Sequence, residues 1–402
     1  MRPVRLPRVS EILWTAGAVL AILGTAFLVW GLRLSTAQWA RILPGFDEAE
    51  SFFGPSPAGW VPKVVAQILG LLTAILAAAA LLVRYRETLR KPGVRARLFS
   101  AAVAVAACSV MFQDMAGRTE RASWYNVQTM MTNPASVPVV GQRLLLIWPA
   151  MLLKYLLPRL SYVQAFVLIQ FIAIVLSVYA IGAWSALFVG EQFKWLGQIL
   201  LTVLLLPTML FYQAHDIGVV FTYTFCFLFL YRRRYWPFLF MFGIGVLNHQ
   251  NILLLIPTAV VVMWGREKTS TIGRVAALAA IAYFSIQFVL NQTIPVPQTH
   301  EDKVWCNMRQ IVELHRAMVF GLMLTVPWYV GAAAVLAGAD PFLKRAAILF
   351  PMQVCIYSVY GQLNEARLFH GFLPILIGIY LCYFRYRFLG SATPSVAGLA
   401  ET

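Results

Sequence analysis

Residues 357–384 read YSVYGQLNEARLFHGFLPILIGIYLCYF. The second half is an uninterrupted apolar run of the kind that spans a bilayer as a helix. The first half places Glu365, Arg367 and His370 within six residues of one another, at the mouth of that helix. Ionisable side chains are costly at membrane depth and usually have partners or functions there. The stretch therefore implies both a membrane protein and a site.

The rest of the chain agrees with the first implication. Of 402 residues, 60% are hydrophobic and 12% charged, and the mean hydropathy is +0.73. A soluble domain carries about 25% charged residues. Apolar runs recur from end to end, and the pattern predicts an all-α, polytopic transmembrane helical bundle. Spanning helices are expected near 11–31, 63–83, 98–113, 162–188, 196–213, 217–231, 235–249, 251–265, 273–292, 317–338, 345–361 and 368–386, about twelve in all. The segment 144–158 is apolar but holds Lys154 and two prolines, so it reads as an interfacial or dipping helix. The first apolar run is too long for a signal peptide and reads as a retained helix. The chain is expected to form one integral membrane domain. Residues 1–97 supply N-terminal helices and a basic loop, 98–386 a core bundle, and 387–402 a tail.

Charge sets the expected orientation. Short loops on the cytoplasmic side of a membrane protein are enriched in Lys and Arg. Starting inside, alternate connections carry RYRETLRKPGVRAR, EQFK, RRR, REKTSTIGR and DPFLKR, with FRYRF at the C-terminal end. That side holds 20 of 32 basic and 6 of 16 acidic residues, a net +14 against +2 outside. The overall charge of +16 thus reflects topology rather than nucleic-acid binding. Both termini are expected in the cytoplasm of a cell (inner) membrane protein. All five histidines, with Asp114, Asp216 and Glu365, fall on the outer side, so the site is expected to be extracytoplasmic.

Several outer segments are candidates. Asp114 lies just past an apolar run, where a carboxylate suits a general base or is simply a solvated helix end. Asp47 and Glu48, in GFDEAESFF (45–53), are a rival acidic pair. FYQAHDIGVVF and VLNHQNILLLIP are tight polar turns between short apolar helices. They bring His215, Asp216, His249 and Gln250 near membrane depth, either to bind substrate or to tie the turns. Arg143 and Arg367 are candidate phosphate clamps, since guanidinium groups hold phosphate with two donors. Arg316 closes a loop (294–316) with helical spacing. His300, Glu301 and Asp302 lie in that loop, so a divalent metal is conceivable, although no metal-ligand spacing such as HExxH is present. The five cysteines show no disulfide framework. No P-loop, GxGxxG or GxSxG motif occurs, and no inner loop has room for a nucleotide-binding domain.

The chain resembles the GT-C class of integral membrane glycosyltransferases, by architecture across 98–386 more than by motif. Gln113-Asp114 followed by VPVVGQRLLLIWPAML resembles an early-loop Asp preceding a Pro…Arg-Leu element. NEARLF (364–369) resembles a late Glu-x-Arg-aromatic element. In many members the acid follows the first helix, the place held here by Asp47–Glu48. The resemblance implies transfer of a sugar from a polyprenyl-phosphate donor to a glycan, lipid or protein acceptor among membrane lipids. It implies Asp114, Asp47 or Glu365 as catalytic acids. Arg143, Arg367, Arg316, His215, Asp216, His249, Gln250 and His370 would bind substrate. The alternatives are a polysaccharide polymerase or ligase of the O-antigen type and, from another class, a membrane transporter. A transporter would show inverted repeats and mid-helix charges, and the sequence has no such repeat.

Overall fold

The computed structural model describes residues 9–31, 91–117, 128–129, 131–133, 143–206, 215–294, 307–309, 312–313, 316–360 and 366–389, with isolated positions at 38 and between 65 and 84. Every regular element among them is helical. Among the described residues, five stretches are long and apolar enough to cross a membrane: Pro92–Phe112, Tyr162–Val189, Thr269–Thr293, Pro341–Val359 and Phe369–Phe388. Most other apolar helices are shorter, Val9–Gly31 and Arg316–Val335 being exceptions at 23 and 20 residues. These five identify a multi-pass membrane protein by length and composition; they do not amount to the twelve spans expected from hydropathy.

The chain divides into two compact units, Met1–Arg95 and Ala96–Thr402. In the first, α1 (Val9–Gly31) meets the described helical positions of 65–84. The Thr73 hydroxyl donates to the Leu69 carbonyl at 2.8 Å and lies 3.2 Å from the Gly17 carbonyl.

The second unit is built around α4 (Tyr162–Val189). Its start is a capping box. Ser161 Oγ accepts from Gln164 N–H at 3.1 Å, and Gln164 Oε1 accepts from Ser161 N–H at 2.8 Å. Its finish is Gly190, whose positive φ of 79° ends the helix without a Cβ penalty. On one side lies α5 (Trp195–Leu205), packed through Gly182, Ser185 and Gly197; a Cβ on Gly197 would land on Ser185 Oγ. Small residues let membrane helices approach this closely. Ser100, on α2 (Pro92–Gly117), donates to Gln198 Oε1 at 3.3 Å and ties α2 to α5.

On its other sides α4 meets α3 (Leu144–Leu156), α6 (His215–Tyr231) and α13 (Leu373–Phe388). Of these, α13 is the most deeply enclosed, with Leu373 through Ile379 all buried. α7 (Tyr235–Val246), α8 (Leu255–Met263), α9 (Thr269–Thr293), α10 (Arg316–Val335), α11 (Pro341–Ala346) and α12 (Leu349–Tyr360) complete the unit. α9 is peripheral, and its outward face carries Ile281, Phe284 and Phe288, side chains suited to hydrocarbon. The segment 144–158 contains a helix of 13 residues, about 20 Å long. It is too short to cross a bilayer alone, and Lys154 Nζ folds back to the Pro158 carbonyl at 2.6 Å.

Two sequence expectations change in detail. The run 251–265 begins as a 3-10 turn, Gln250–Leu254, before α8. The run 368–386 likewise begins as the 3-10 segment Ala366–Phe372.

Side-chain contacts collect the basic connections at one end of the second unit. The Arg385 guanidinium donates to the Phe188 carbonyl at 3.1 Å, and Phe193 meets Phe384 with centroids 6.4 Å apart. Arg233 pairs with Glu267 at 3.5 Å. Arg345 donates to the Trp264 carbonyl, Arg266 lies 5.6 Å over the Phe342 ring, and Tyr231 donates to Asp340 at 3.4 Å. Thus EQFK, RRR, REKTSTIGR, DPFLKR and FRYRF, spread over about two hundred residues of sequence, meet in space. α6 runs from His215 to this end, 17 residues or about 25 Å, so its first turn lies at the other end.

Candidate functional site

The opposite end is organised by hydrogen bonds between side chains distant in sequence. From α6, the Tyr223 hydroxyl donates to the Asn251 carbonyl at 2.6 Å. Asn251 Nδ2 donates to the Tyr357 hydroxyl at 2.5 Å. Asn307 Nδ2 donates to the Ser358 carbonyl at 3.1 Å and lies 3.5 Å from that of Tyr357. Tyr357 meets Phe369 edge-on with centroids 5.5 Å apart. Tyr223, Asn307, Gln353, Tyr357 and His370 are all buried. Segments distant in sequence are joined here by polar groups that would each be expensive to bury alone.

The turn 247–251 is the hub. His249 is the N-cap of the 3-10 turn, and its Nδ1 accepts from Asn251 N–H at 3.1 Å. A neutral His249 ring therefore carries its proton on Nε2. Asn248 is buried against Gly218, where a Cβ would lie 2.4 Å from Asn248 Oδ1. Gln250 is exposed. The Leu247 carbonyl accepts from both Leu144 N–H (2.7 Å) and Leu145 N–H (3.2 Å). This bond brings the start of α3, and with it half-buried Arg143, to the same corner.

Asp216 is 5% exposed in the first turn of α6, where helix-end N–H groups favour negative charge. His370 is 2% exposed within Ala366–Phe372. The next residue, Gly371, sits where a Cβ would be 2.8 Å from the Tyr223 ring and 2.9 Å from Gln353 Nε2. Glycine alone lets this 3-10 segment dock on α6 and α12. Gly371→Ala should destabilise the protein by about 1–3 kcal/mol through overpacking. Gly338→Ala, where nothing lies within 4 Å, should be near neutral. Thermal unfolding of both variants in detergent checks the pair, and equal midpoints would remove Gly371 from this role.

The structure thus brings Arg143, Asp216, His249, Gln250 and His370 to one end of one unit. Arg367 belongs to that end by its position in Ala366–Phe372, and His215 by its position in the first turn of α6. Arg316 opens α10, and Asp114 lies in the last turn of α2. Shortly before Asp114, Phe112 and Met111 meet Phe171 on α4 and Thr202 on α5. Asp47 and Glu365 lie outside the described residues, as do Glu48, His300, Glu301 and Asp302. Among the described residues, no three His, Cys, Asp or Glu side chains are grouped to hold a metal.

Sequence reasoning missed Tyr223, Asn307, Gln353 and Tyr357. Gln353 had a signal, an amide in the apolar run FPMQVCIY. It is 1% exposed, and its Oε1 has no hydrogen-bond partner among the described residues.

Beside the polar chain runs an apolar cavity of about 490 Å³. Its walls come from α10, α12, the 3-10 segment and α13, including Val326, Tyr329, Leu336, Phe350, Phe369 and Ile379. Tyr329 stacks on Phe350 with centroids 4.4 Å apart. From Val326 on α10 to Leu336, in the 3-10 turn that follows it, the wall is about 15 Å long. One end of the cavity, at Phe369, is one residue from His370 and two from Arg367.

No family model, curated protein or solved structure matches this chain. Fold and site together define a helical multi-pass membrane protein with a polar cluster at one bundle end and an apolar groove opening beside it.

Proposed function

We propose that the protein is a membrane glycosyltransferase that moves a sugar from a polyprenyl-phosphate donor to an acceptor hydroxyl at the extracytoplasmic face. The observation that carries this reading is the juxtaposition of the groove with Ala366–Phe372. A slot about 15 Å long and almost wholly apolar suits an unbranched or isoprenoid tail. The segment bearing Arg367 and His370 then stands where the phosphate of such a lipid would emerge. Arg143 supplies a second guanidinium at the same bundle end, and Arg fits phosphate bidentately.

In the reaction, a carboxylate accepts the proton of the acceptor hydroxyl. The acceptor oxygen forms the new bond to the sugar anomeric carbon. The bond from that carbon to the donor phosphate oxygen breaks, and the polyprenyl phosphate leaves with the electron pair, held by Arg367 and Arg143. No nucleotide is consumed, because the donor is already activated. Asp216 and Asp114 are the described acids proposed for the first role, Glu313 being paired with Arg309 at 2.8 Å.

Lipids extracted from the detergent-purified protein and identified by mass spectrometry test the reading. Polyprenyl phosphate should copurify with the native protein and be lost from Ala332→Phe, which fills the groove from its buried wall. Recovery of bulk phospholipid alone would sink it.

A further inference from the structure

At the basic end, two tight turns stand side by side. The first, Arg232–Arg234, joins α6 to α7, and the second, Trp264–Lys268, joins α8 to α9. Arg233 Nε and Glu267 Oε1, 3.5 Å apart, link them.

The first turn has an uncommon backbone. Arg234 N–H donates to the Phe229 carbonyl at 2.9 Å, and Arg233 N–H to that of Leu230 at 3.2 Å. These are the two bonds of a Schellman motif, whose left-handed position is normally glycine. Here that position is Arg233, at φ 55°, the one non-glycine residue with positive φ among those described. An L-residue with a full side chain pays a steric cost there. Observed strain of this kind points to a function that retains the residue.

What the strain retains is a concentration of charge. The two turns carry Arg232, Arg233, Arg234, Arg266 and Lys268 against Glu267, a net +4. Glu267 is committed to Arg233, and Arg266 to the Phe342 ring. The side chains of Arg232, Arg234 and Lys268 are exposed and have no ion-pair partner among the described residues. The tryptophans flanking this charge are exposed as well, Trp236 by 74% and Trp264 by 65%. Exposed tryptophan beside unpaired cations, at a helix end, is the composition of a membrane–water interface.

We propose that the paired turns form a binding site for the phosphate headgroup of an anionic phospholipid in the adjacent leaflet. Arg232, Arg234 and Lys268 contact the phosphate, while Trp236 and Trp264 sit at headgroup depth. This site lies at the opposite end of the second unit from the polar chain and stands whether or not the transferase reading does.

Native mass spectrometry of the full chain, released from mixed micelles containing phosphatidylglycerol and phosphatidylcholine, reads the preference directly. The native protein should retain phosphatidylglycerol preferentially at low salt. A juxtamembrane cation is worth about fivefold in affinity for an anionic surface, so Arg232→Gln/Arg234→Gln should lose about 25-fold. Arg232→Lys/Arg234→Lys keeps the charge and should keep most of the preference. Arg233→Gly relieves the left-handed strain and removes one cation of the turn, so it should raise thermal stability while lowering the preference. Equal retention of the two lipids by the native protein, or an unchanged preference in the glutamine double variant, would overturn the proposal.

Discussion

Asp216→Asn is expected to leave insertion and folding intact and to lower sugar transfer by about 10²–10⁴-fold, the usual contribution of a general base. Asparagine keeps the shape and the acceptor oxygen of the side chain but cannot take a proton. Asp216 is singled out because it is buried in the first turn of α6, two residues before Gly218, which packs directly on Asn248. The same end of α6 meets the turn that holds His249 and, through the Leu247 carbonyl, the start of α3 beside Arg143. Asp114→Asn is the necessary comparison, since Asp114 closes α2 in a sequence context resembling a catalytic loop. Transfer assayed with a polyprenyl-phosphate sugar ranks them. A large loss for Asp114→Asn and a small one for Asp216→Asn would move the base to α2. Losses under about threefold in both would remove either acid from the proton transfer.

The largest stability effect is expected at Trp184. This residue is fully buried, and its indole N–H donates to the Pro374 carbonyl at 2.6 Å. Its ring meets Phe188 (centroids 4.9 Å apart), Tyr231 and Phe342 (6.0 Å each) and Phe227 (6.3 Å). One side chain therefore joins α4, α6, α11 and α13. Trp184→Ala should cost about 3–5 kcal/mol through the cavity it leaves. Trp184→Phe keeps a ring and loses the donor, and should cost about 1–3 kcal/mol. Equilibrium unfolding in mixed micelles measures both. A cost below about 1 kcal/mol for the alanine variant would show that the other aromatic rings hold the bundle without it.

The helical class was readable from composition, and α4 from a continuous apolar run over 162–188. Twelve spans are not shown among the described residues. α5, α7 and α8 are as apolar as spanning helices but only 9–12 residues long, and hydropathy does not register where such a helix ends inside a bundle. Of the site, the polar turns at 215–216 and 248–251 stood out because polar groups in an apolar setting are costly. Their partners did not. Tyr223 and Tyr357 look like ordinary core aromatics in sequence, and the bonds joining them to Asn251 cross 28 and 106 residues. Arg143 was picked for its chemistry, but nothing local revealed that it shares a corner with His249.

That corner also sets an order of events during synthesis. The carbonyl that receives Leu144 N–H and Leu145 N–H belongs to Leu247, more than a hundred residues further along. At about 5–20 residues per second, the ribosome delivers Leu247 roughly 5–20 s after the start of α3. Until then the first turn of α3 lacks the acceptor it has in the finished fold. Arg143 can take its final place only after α7 has been made, so the polar end of the second unit is assembled late, from parts that must wait for one another.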